Sequence, residues 1–204
     1  MKKLFLDIET IPAPDDKHET LKFLHKKALD KNKKEKRDFE QYLIETSFNG
    51  AFGRILCIGY AINNEPAEIL YDENEKAMLQ KFWEIAKDAD LFIGHNIMDF
   101  DLRFIYQRSV VNKIKPSREL SFARYRNDPI YDTDREWTKW SAIKIGLEHL
   151  ALALDIPTPK DDIDGSQVWS FYQKGEIDKI LTYCKKDVET TREIYKRMTF
   201  VRII

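Results

Sequence analysis

The chain has 204 residues, 43% hydrophobic and 12% aromatic, which suits one globular domain burying its own core and excludes a disordered chain. Its 34 Lys and Arg against 35 Asp and Glu leave a net charge of −1, which argues against a generic basic polymer binder but not against an enzyme that grips a few nucleotides. No apolar run is long enough to span a bilayer, and Asp7 interrupts the apolar stretch behind Met1-Lys2-Lys3 too early for a signal peptide, so the expected compartment is the cytoplasm.

In chain order, residues 3–8 are rich in Leu, Phe and Ile and read as a strand that Pro12 and Pro14 end. Residues 17–46 lack Pro and Gly and read as one or two exposed helices inserted after that strand. Their Lys-rich stretch, Lys17 to Arg37, reads as a solvated helical face, with a phosphate-binding patch as the alternative. A turn follows at Asn49-Gly50 and Gly53. Residues 55–62 are a buried strand, Asn63-Asn64 a turn, and 67–71 a further strand able to close a hairpin. Residues 75–86 carry Met78, Leu79, Phe82, Trp83 and Ile85 at helical spacing. Residues 91–94 are a short buried strand and 100–108 a helix, with Asp99 its N-cap or a near neighbour of the cap.

Residues 115–139 carry Pro116 and Pro129 and offer only Ile130-Tyr131-Asp132 as an edge strand. Residues 147–154 are a helix, Pro157 and Pro159 break the chain, and 160–167 are a polar loop. A short helix over 168–173 precedes a long one over 177–198, with Ile180, Leu181, Cys184, Val188, Ile194 and Tyr195 facing inward. The whole reads as a single α/β domain over 1–204, with a mixed central sheet and helices on both faces. Cys57 and Cys184 fall in apolar patterns and read as small core residues. Neither has a Cys or His at zinc-ligand spacing.

Three segments concentrate acids on regular elements. In Asp7-Ile8-Glu9-Thr10, strand periodicity points both carboxylates the same way, and two carboxylates side by side repel unless a cation or proton lies between them. The pattern alone is weak in so acidic a chain, and a strand running out into solvent is its bland explanation. In Gly94-His95-Asn96-Ile97-Met98-Asp99-Phe100-Asp101, a buried strand turns into a helix, where α/β sites gather. Asp99 and Asp101 compete there as the functional acid, and His95 without partners reads as a packed or hydrogen-bonded residue. In Tyr183-Cys184-Lys185-Lys186-Asp187, helical spacing puts Tyr183 and Asp187 on one face. Carboxylate oxygens of this kind suit Mg²⁺ or Mn²⁺.

Taken together and in order, Asp7-Ile8-Glu9-Thr10, Asn96 with Phe100-Asp101, and Tyr183 with Asp187 resemble the three motifs of the DEDD-type 3′→5′ exonucleases, tyrosine subclass, with the ribonuclease H-like fold. More narrowly, the chain is similar to the proofreading exonuclease domain of family-B DNA polymerases and to stand-alone bacterial predicted exonucleases related to it. The likeness runs from about residue 3 to 198, loosely over 13–47 and 115–140. A polymerase portion has no room here, so proofreading within the same polypeptide is not expected.

The resemblance implies two divalent cations, Mg²⁺ or Mn²⁺. Asp7, Glu9 and Asp187 would hold the first, Asp7 would bridge to the second, and Asp101 would bind the second, with the ions roughly 3.5–4 Å apart about the scissile phosphate. Tyr183 would orient the attacking water, because a phenol is a poor base near neutral pH. Thr10 and Asn96 would contact the terminal nucleotide, and Phe100 would stack on a base or serve the core. The implied partner is single-stranded nucleic acid, DNA favoured over RNA, cut to nucleoside 5′-monophosphates. A non-catalytic binding module on the same fold and a phosphodiesterase for free nucleotides are the alternatives. P-loop, dinucleotide-fold and Gly-x-Ser-x-Gly patterns are absent.

Overall fold

The computed structural model describes residues 1–31, 37–158 and 163–200. Among these, five strands form one sheet in the order β3-β2-β1-β4-β5. They are β1 (Lys3–Ile11), β2 (Arg54–Ile62), β3 (Glu68–Tyr71), β4 (Leu91–Gly94) and β5 (Ile130–Asp132). Strands β1, β2 and β3 pair antiparallel as a meander, while β4 and β5 run parallel to β1. The helices are α1 (His18–Lys31), α2 (Phe39–Ile44), α3 (Glu75–Ala86), α4 (Asp101–Val111), α5 (Thr133–Thr138), α6 (Leu147–Ala153), α7 (Val168–Gln173) and α8 (Ile177–Met198).

Strand alternation decides the two layers. Leu4, Leu6 and Ile8 of β1 enter one core with Met78, Leu79 and Phe82 of α3 and Leu102, Phe104 and Ile105 of α4. Phe5 enters the opposite core with Val188 and Tyr195 of α8, its ring meeting Tyr195 edge-on at 5.6 Å. Phe82, Phe92 and Phe104 are among the largest side chains shut off from solvent, and rings of that size contribute about 1.5–3 kcal/mol each. Asp7 and Glu9 share the face of Phe5, so the same alternation that builds the core directs two carboxylates under α8.

Gly59 explains how closely α8 can lie. It pairs with Asp7 across the β1–β2 ladder, and a Cβ there would stand 2.9 Å from both Cys184 Sγ and Val188 Cγ2. Only a glycine lets the helix settle onto the sheet at the level of Asp7. On the other side, β1 pairs with β4 over Lys3 to Phe5, after which β4 ends at Gly94.

Several boundaries differ from the expected ones. Strand β1 continues to Ile11, because β2 supplies partners as far as Arg54, with a bulge between Glu9 and Thr10. The inserted segment forms α1 and α2, joined through residues that include Lys33, Lys34 and Lys36, which lie outside those described. Part of the expected 160–167 loop, with Pro159, also lies outside them. Helix α5 was not anticipated.

Asp99 does not cap α4, although it stands next to the residue that does. Phe100 is the N-cap of α4, with no side-chain cap bond, and the Asp99 carboxylate pairs with Arg135 and, at 3.3 Å, with Lys144. Two cations brought from α5 and the loop behind it outcompete the local backbone for that carboxylate.

Candidate active site

Three elements carry the acids. Strand β1 presents Asp7 and Glu9, the start of α4 presents Asp101, and α8 presents Tyr183 and Asp187. Asp101 reaches β1 directly, because its Oδ1 accepts the Ile8 backbone N–H at 3.0 Å across 93 residues of sequence. That bond lies beyond the point where β4 ends, so a side chain takes the place of a strand. On α8, the Cys184 thiol lies 3.6 Å from the Asp7 carbonyl and donates to it. The Tyr183 hydroxyl is hydrogen-bonded to Asp187.

The electrostatics of this cluster run in one direction. Burial, then the Glu9, Asp101 and Asp187 carboxylates, hold the Asp7 carboxyl well above its usual range. Burial, then Cys57, Asp187 and Asp101, do the same to Glu9, which is 8% exposed. Burial pushes Asp101 up to about 7, helped by Asp132 and Asp187 and opposed by the Ile8 N–H. Burial, then Asp187, Glu9 and Asp7, push the Tyr183 phenol upward too.

The decisive atom is Asp7 Oδ2. Asp7 as a residue is only partly buried, yet this oxygen is closed off from solvent and has no hydrogen-bond partner. A buried, unpartnered carboxylate oxygen among further carboxylates costs several kcal/mol unless it is protonated or meets a cation. Asp7, Glu9 and Cys184 offer donor atoms within 4.8 Å of one another. Burial keeps the Cys184 thiol protonated, so it serves as a hydrogen-bond donor and leaves the hard oxygens to a hard cation. The donor set therefore fits Mg²⁺ or Mn²⁺.

The remaining expected contacts divide. The Thr10 hydroxyl donates to the Ser47 carbonyl at 2.7 Å. Asn96 adopts a left-handed backbone, φ 56°, and its Oδ1 accepts from Lys144 Nζ at 2.6 Å. Phe100 is half-buried, packs against the core and lies 5.6 Å from the Phe104 ring. His95 is held on both ring nitrogens, by Thr133 Oγ1 at 2.9 Å and the Ile145 carbonyl at 2.8 Å, and burial lowers its pKa. It is a hydrogen-bonded residue, as expected.

Sequence reasoning missed what shapes the 95–100 turn. Asp132, 1% exposed, accepts the backbone N–H groups of Asn96 at 2.9 Å and Met98 at 3.0 Å, while capping α5 through those of Asp134 and Arg135. One buried carboxylate thus fixes the approach to Asp101 and starts the next helix. Lys144 was missed as well. The available signal was Asp132-Thr133-Asp134, a polar run directly behind Ile130-Tyr131 whose first residue is fit to cap a helix.

The family model described as "Predicted 3'-5' exonuclease related to the exonuclease domain of PolB" matches residues 64–203. That span holds Asn96, Phe100, Asp101, Tyr183 and Asp187 and begins after the strand bearing Asp7 and Glu9. Among solved structures, the chain is similar to the family B DNA polymerase from the hyperthermophilic archaeon Pyrobaculum calidifontis, with a TM-score of 0.68 and 13% identity, over 98% of this chain and 24% of that one. At that identity the likeness is one of fold, and it bears out the mixed, helix-flanked, ribonuclease H-like sheet. No curated protein matches the chain. Among the described residues, no helix is long and apolar enough to cross a membrane.

Proposed function

Since this chain belongs to the family of predicted 3′-5′ exonucleases related to the exonuclease domain of PolB, we propose that it is a single-domain, metal-dependent enzyme that shortens single-stranded nucleic acid from the 3′ end, DNA in preference to RNA. The observation that carries this reading is the unpartnered Asp7 Oδ2 among converging carboxylates.

Asp7, Glu9, Asp101 and Asp187 are the residues that would hold two divalent cations, Mg²⁺ or Mn²⁺. When bound, such ions make a water nucleophilic near neutral pH and offset charge on the departing 3′ oxygen. The chain's own groups do the rest. Tyr183, with its phenol pushed upward, keeps its proton at any working pH, so it orients the attacking water and does not deprotonate it. Asp187, bonded to that phenol, sets its direction. The Ile8 N–H and Asp132 fix Asp101 and the turn before it, so little rearrangement is needed at the moment of reaction.

The test uses 5′-labelled single-stranded DNA and RNA of matched sequence with Mg²⁺, Mn²⁺ or EDTA. A ladder of shortened products in metal, faster on DNA and abolished by EDTA, is expected. Cuts within circular single-stranded DNA, or hydrolysis of free nucleotides alone, would end the reading.

A further inference from the structure

A cavity of about 730 Å³ lies between α3, α4 and residues 115–122, a size that suits a small ligand. It is separate from the acidic site. Asp101 is 3% exposed and faces β1, whereas Arg103, roughly 200° further round the same helix, is exposed and lines the cavity. The loop is fastened to α3. The Ser117 hydroxyl donates to the Trp83 carbonyl at 2.6 Å, one of those that the end of α3 leaves without a helical partner, and Arg118 donates to the Ala89 carbonyl just beyond. On α4, Arg103 Nε donates to the Met98 carbonyl at 2.6 Å, and its guanidinium lies 5.2 Å from the centre of the Phe122 ring.

Each arginine is thus anchored through one nitrogen to a backbone carbonyl. Among the described residues, no carboxylate pairs with Arg103, Arg118 or Lys115, and the cavity wall sets these three cations against one acid, Glu119. Like charges gathered round one cavity in a chain of net charge −1 repel until an anion joins them, and a guanidinium fork matches the oxygens of a phosphate. Tyr106, 52% exposed, and the half-buried Leu120 add an aromatic and apolar wall. We propose that the cavity binds a nucleoside monophosphate, its phosphate on Arg103 and Arg118 and its base on the Tyr106 and Leu120 side. The anion site stands apart from the exonuclease reading. The choice of a nucleotide over another aromatic phosphate rests on that reading, whose products are nucleoside 5′-monophosphates. A strand end held at the acids would have to turn round α4 to reach the cavity, which favours the free mononucleotide.

The test is calorimetric titration in EDTA of wild type, Arg103→Gln, Arg118→Gln, Lys115→Gln and Asp7→Asn, with urea midpoints as folding controls. The ligands are deoxyadenosine 5′-monophosphate, deoxyadenosine, inorganic phosphate, phenyl phosphate and a short oligodeoxyadenylate. The mononucleotide is expected to bind wild type at least about tenfold more tightly than any other ligand in the set. Either arginine variant should weaken it about tenfold or more and Lys115→Gln about threefold, while Asp7→Asn leaves it unchanged. Lys115 makes no hydrogen bond among the described residues, so its variant keeps the test open if an arginine variant fails to fold.

Mononucleotide binding that survives all three cation variants, or that is lost with Asp7→Asn, overturns the proposal, as does binding no tighter than that of inorganic phosphate. Tighter, Arg118-dependent binding of phenyl phosphate or of the oligonucleotide overturns the choice of a free mononucleotide. If metal-loaded protein shortens a 5′-labelled strand but no such mononucleotide binding is found, the proposal falls and the exonuclease reading stands. Arg118-dependent mononucleotide binding in a chain that cuts nothing does the reverse.

Discussion

Glu75 and Asp7 are both carboxylates withdrawn from water, and the chain treats them in opposite ways. Glu75 accepts from Arg108 Nε at 2.9 Å and Nη2 at 2.7 Å, from the Ile55 N–H at 2.8 Å and from Asn112 at 2.9 Å. Its side chain is 11% exposed and that of Arg108 is 8%. Here the protein supplies its own cation and satisfies every lone pair it can, which is what a structural buried ion pair needs. Asp7 is surrounded by other acids, and its Oδ2 has no partner. The first site is complete as folded. The second would be completed by charge from outside, as the proposed metal site requires.

Removing each charge should therefore have opposite consequences. Asp7→Ala takes away the acid common to both proposed metal positions, and the rate on a 5′-labelled strand should fall by at least ~10³, about 4 kcal/mol of transition-state stabilisation. Asp187→Ala should fall similarly. Yet Asp7→Asn relieves repulsion, so in EDTA its urea midpoint should rise above wild type. Glu75→Gln leaves Arg108 buried without its counter-charge and should cost about 3–5 kcal/mol of stability, with the active fraction keeping near-normal kinetics. Equal destabilisation by Asp7→Asn and Glu75→Gln would erase the distinction between the two regions.

The same contrast predicts a pH dependence. A carboxyl whose folded pKa is raised binds a proton in the folded chain where the unfolded chain has lost it, so stability falls as pH rises between the two values. With Asp101 at about 7 and Asp7 and Glu9 also raised, the metal-free protein should lose stability from about pH 4 upward through neutrality. Saturating Mn²⁺ should reverse the trend near neutral pH, adding about 2.7 kcal/mol at a hundredfold excess over Kd. Chemical denaturation across pH, with and without metal, measures this. Flat metal-free stability from pH 5 to 8 would contradict the electrostatics of the site.

The two regions were not equally legible in the sequence. Alternation in β1 showed that Asp7 and Glu9 share a face, and helical spacing paired Tyr183 with Asp187, because both are local regularities. The meeting of Asp101 with Ile8 across 93 residues has no local signature, and resemblance implied only that Asp101 would belong with Asp7, Glu9 and Asp187. The Glu75–Arg108 pair escaped notice for the same reason, since one charged residue in each of two helices looks like surface. Helix α5 escaped because its six residues carry one large apolar side chain, Trp137, too few for a period. Asp99 was weighed as a local cap without Arg135 and Lys144, which only the tertiary fold delivers.

A smaller effect probes the edge of the acidic site. Tyr183→Phe keeps the ring packing and removes the hydroxyl bonded to Asp187. The rate should drop roughly 10- to 100-fold while Mn²⁺-dependent stabilisation persists. A loss as deep as that of Asp7→Ala, with metal stabilisation gone, would move Tyr183 from orienting water to building the metal site.

The smallest effect should come from Asp99, and the comparison with Asp101 is where the assignment of the second motif stands or falls. Asp101 is 3% exposed, bonded to the Ile8 N–H and raised by its acidic neighbours. Asp99 is exposed, and its partners Arg135 and Lys144 lower its carboxyl against the opposing pull of burial. Its charge is neutralised by the protein's own cations, as that of Glu75 is, and it adds nothing to the acidic cluster. Asp99→Asn removes an ion pair at the surface, worth at most about 1 kcal/mol, and should change the rate only a few-fold. Asp101→Asn keeps the shape and the bond to Ile8 but discards a charge from the site, so its loss should approach that of Asp7→Ala. Both variants are compared at equal folded fraction, judged by denaturation in EDTA. If Asp99→Asn abolishes strand shortening while Asp101→Asn spares it, the functional acid lies two residues earlier, and the pair Arg135 and Lys144 must release Asp99 when substrate binds.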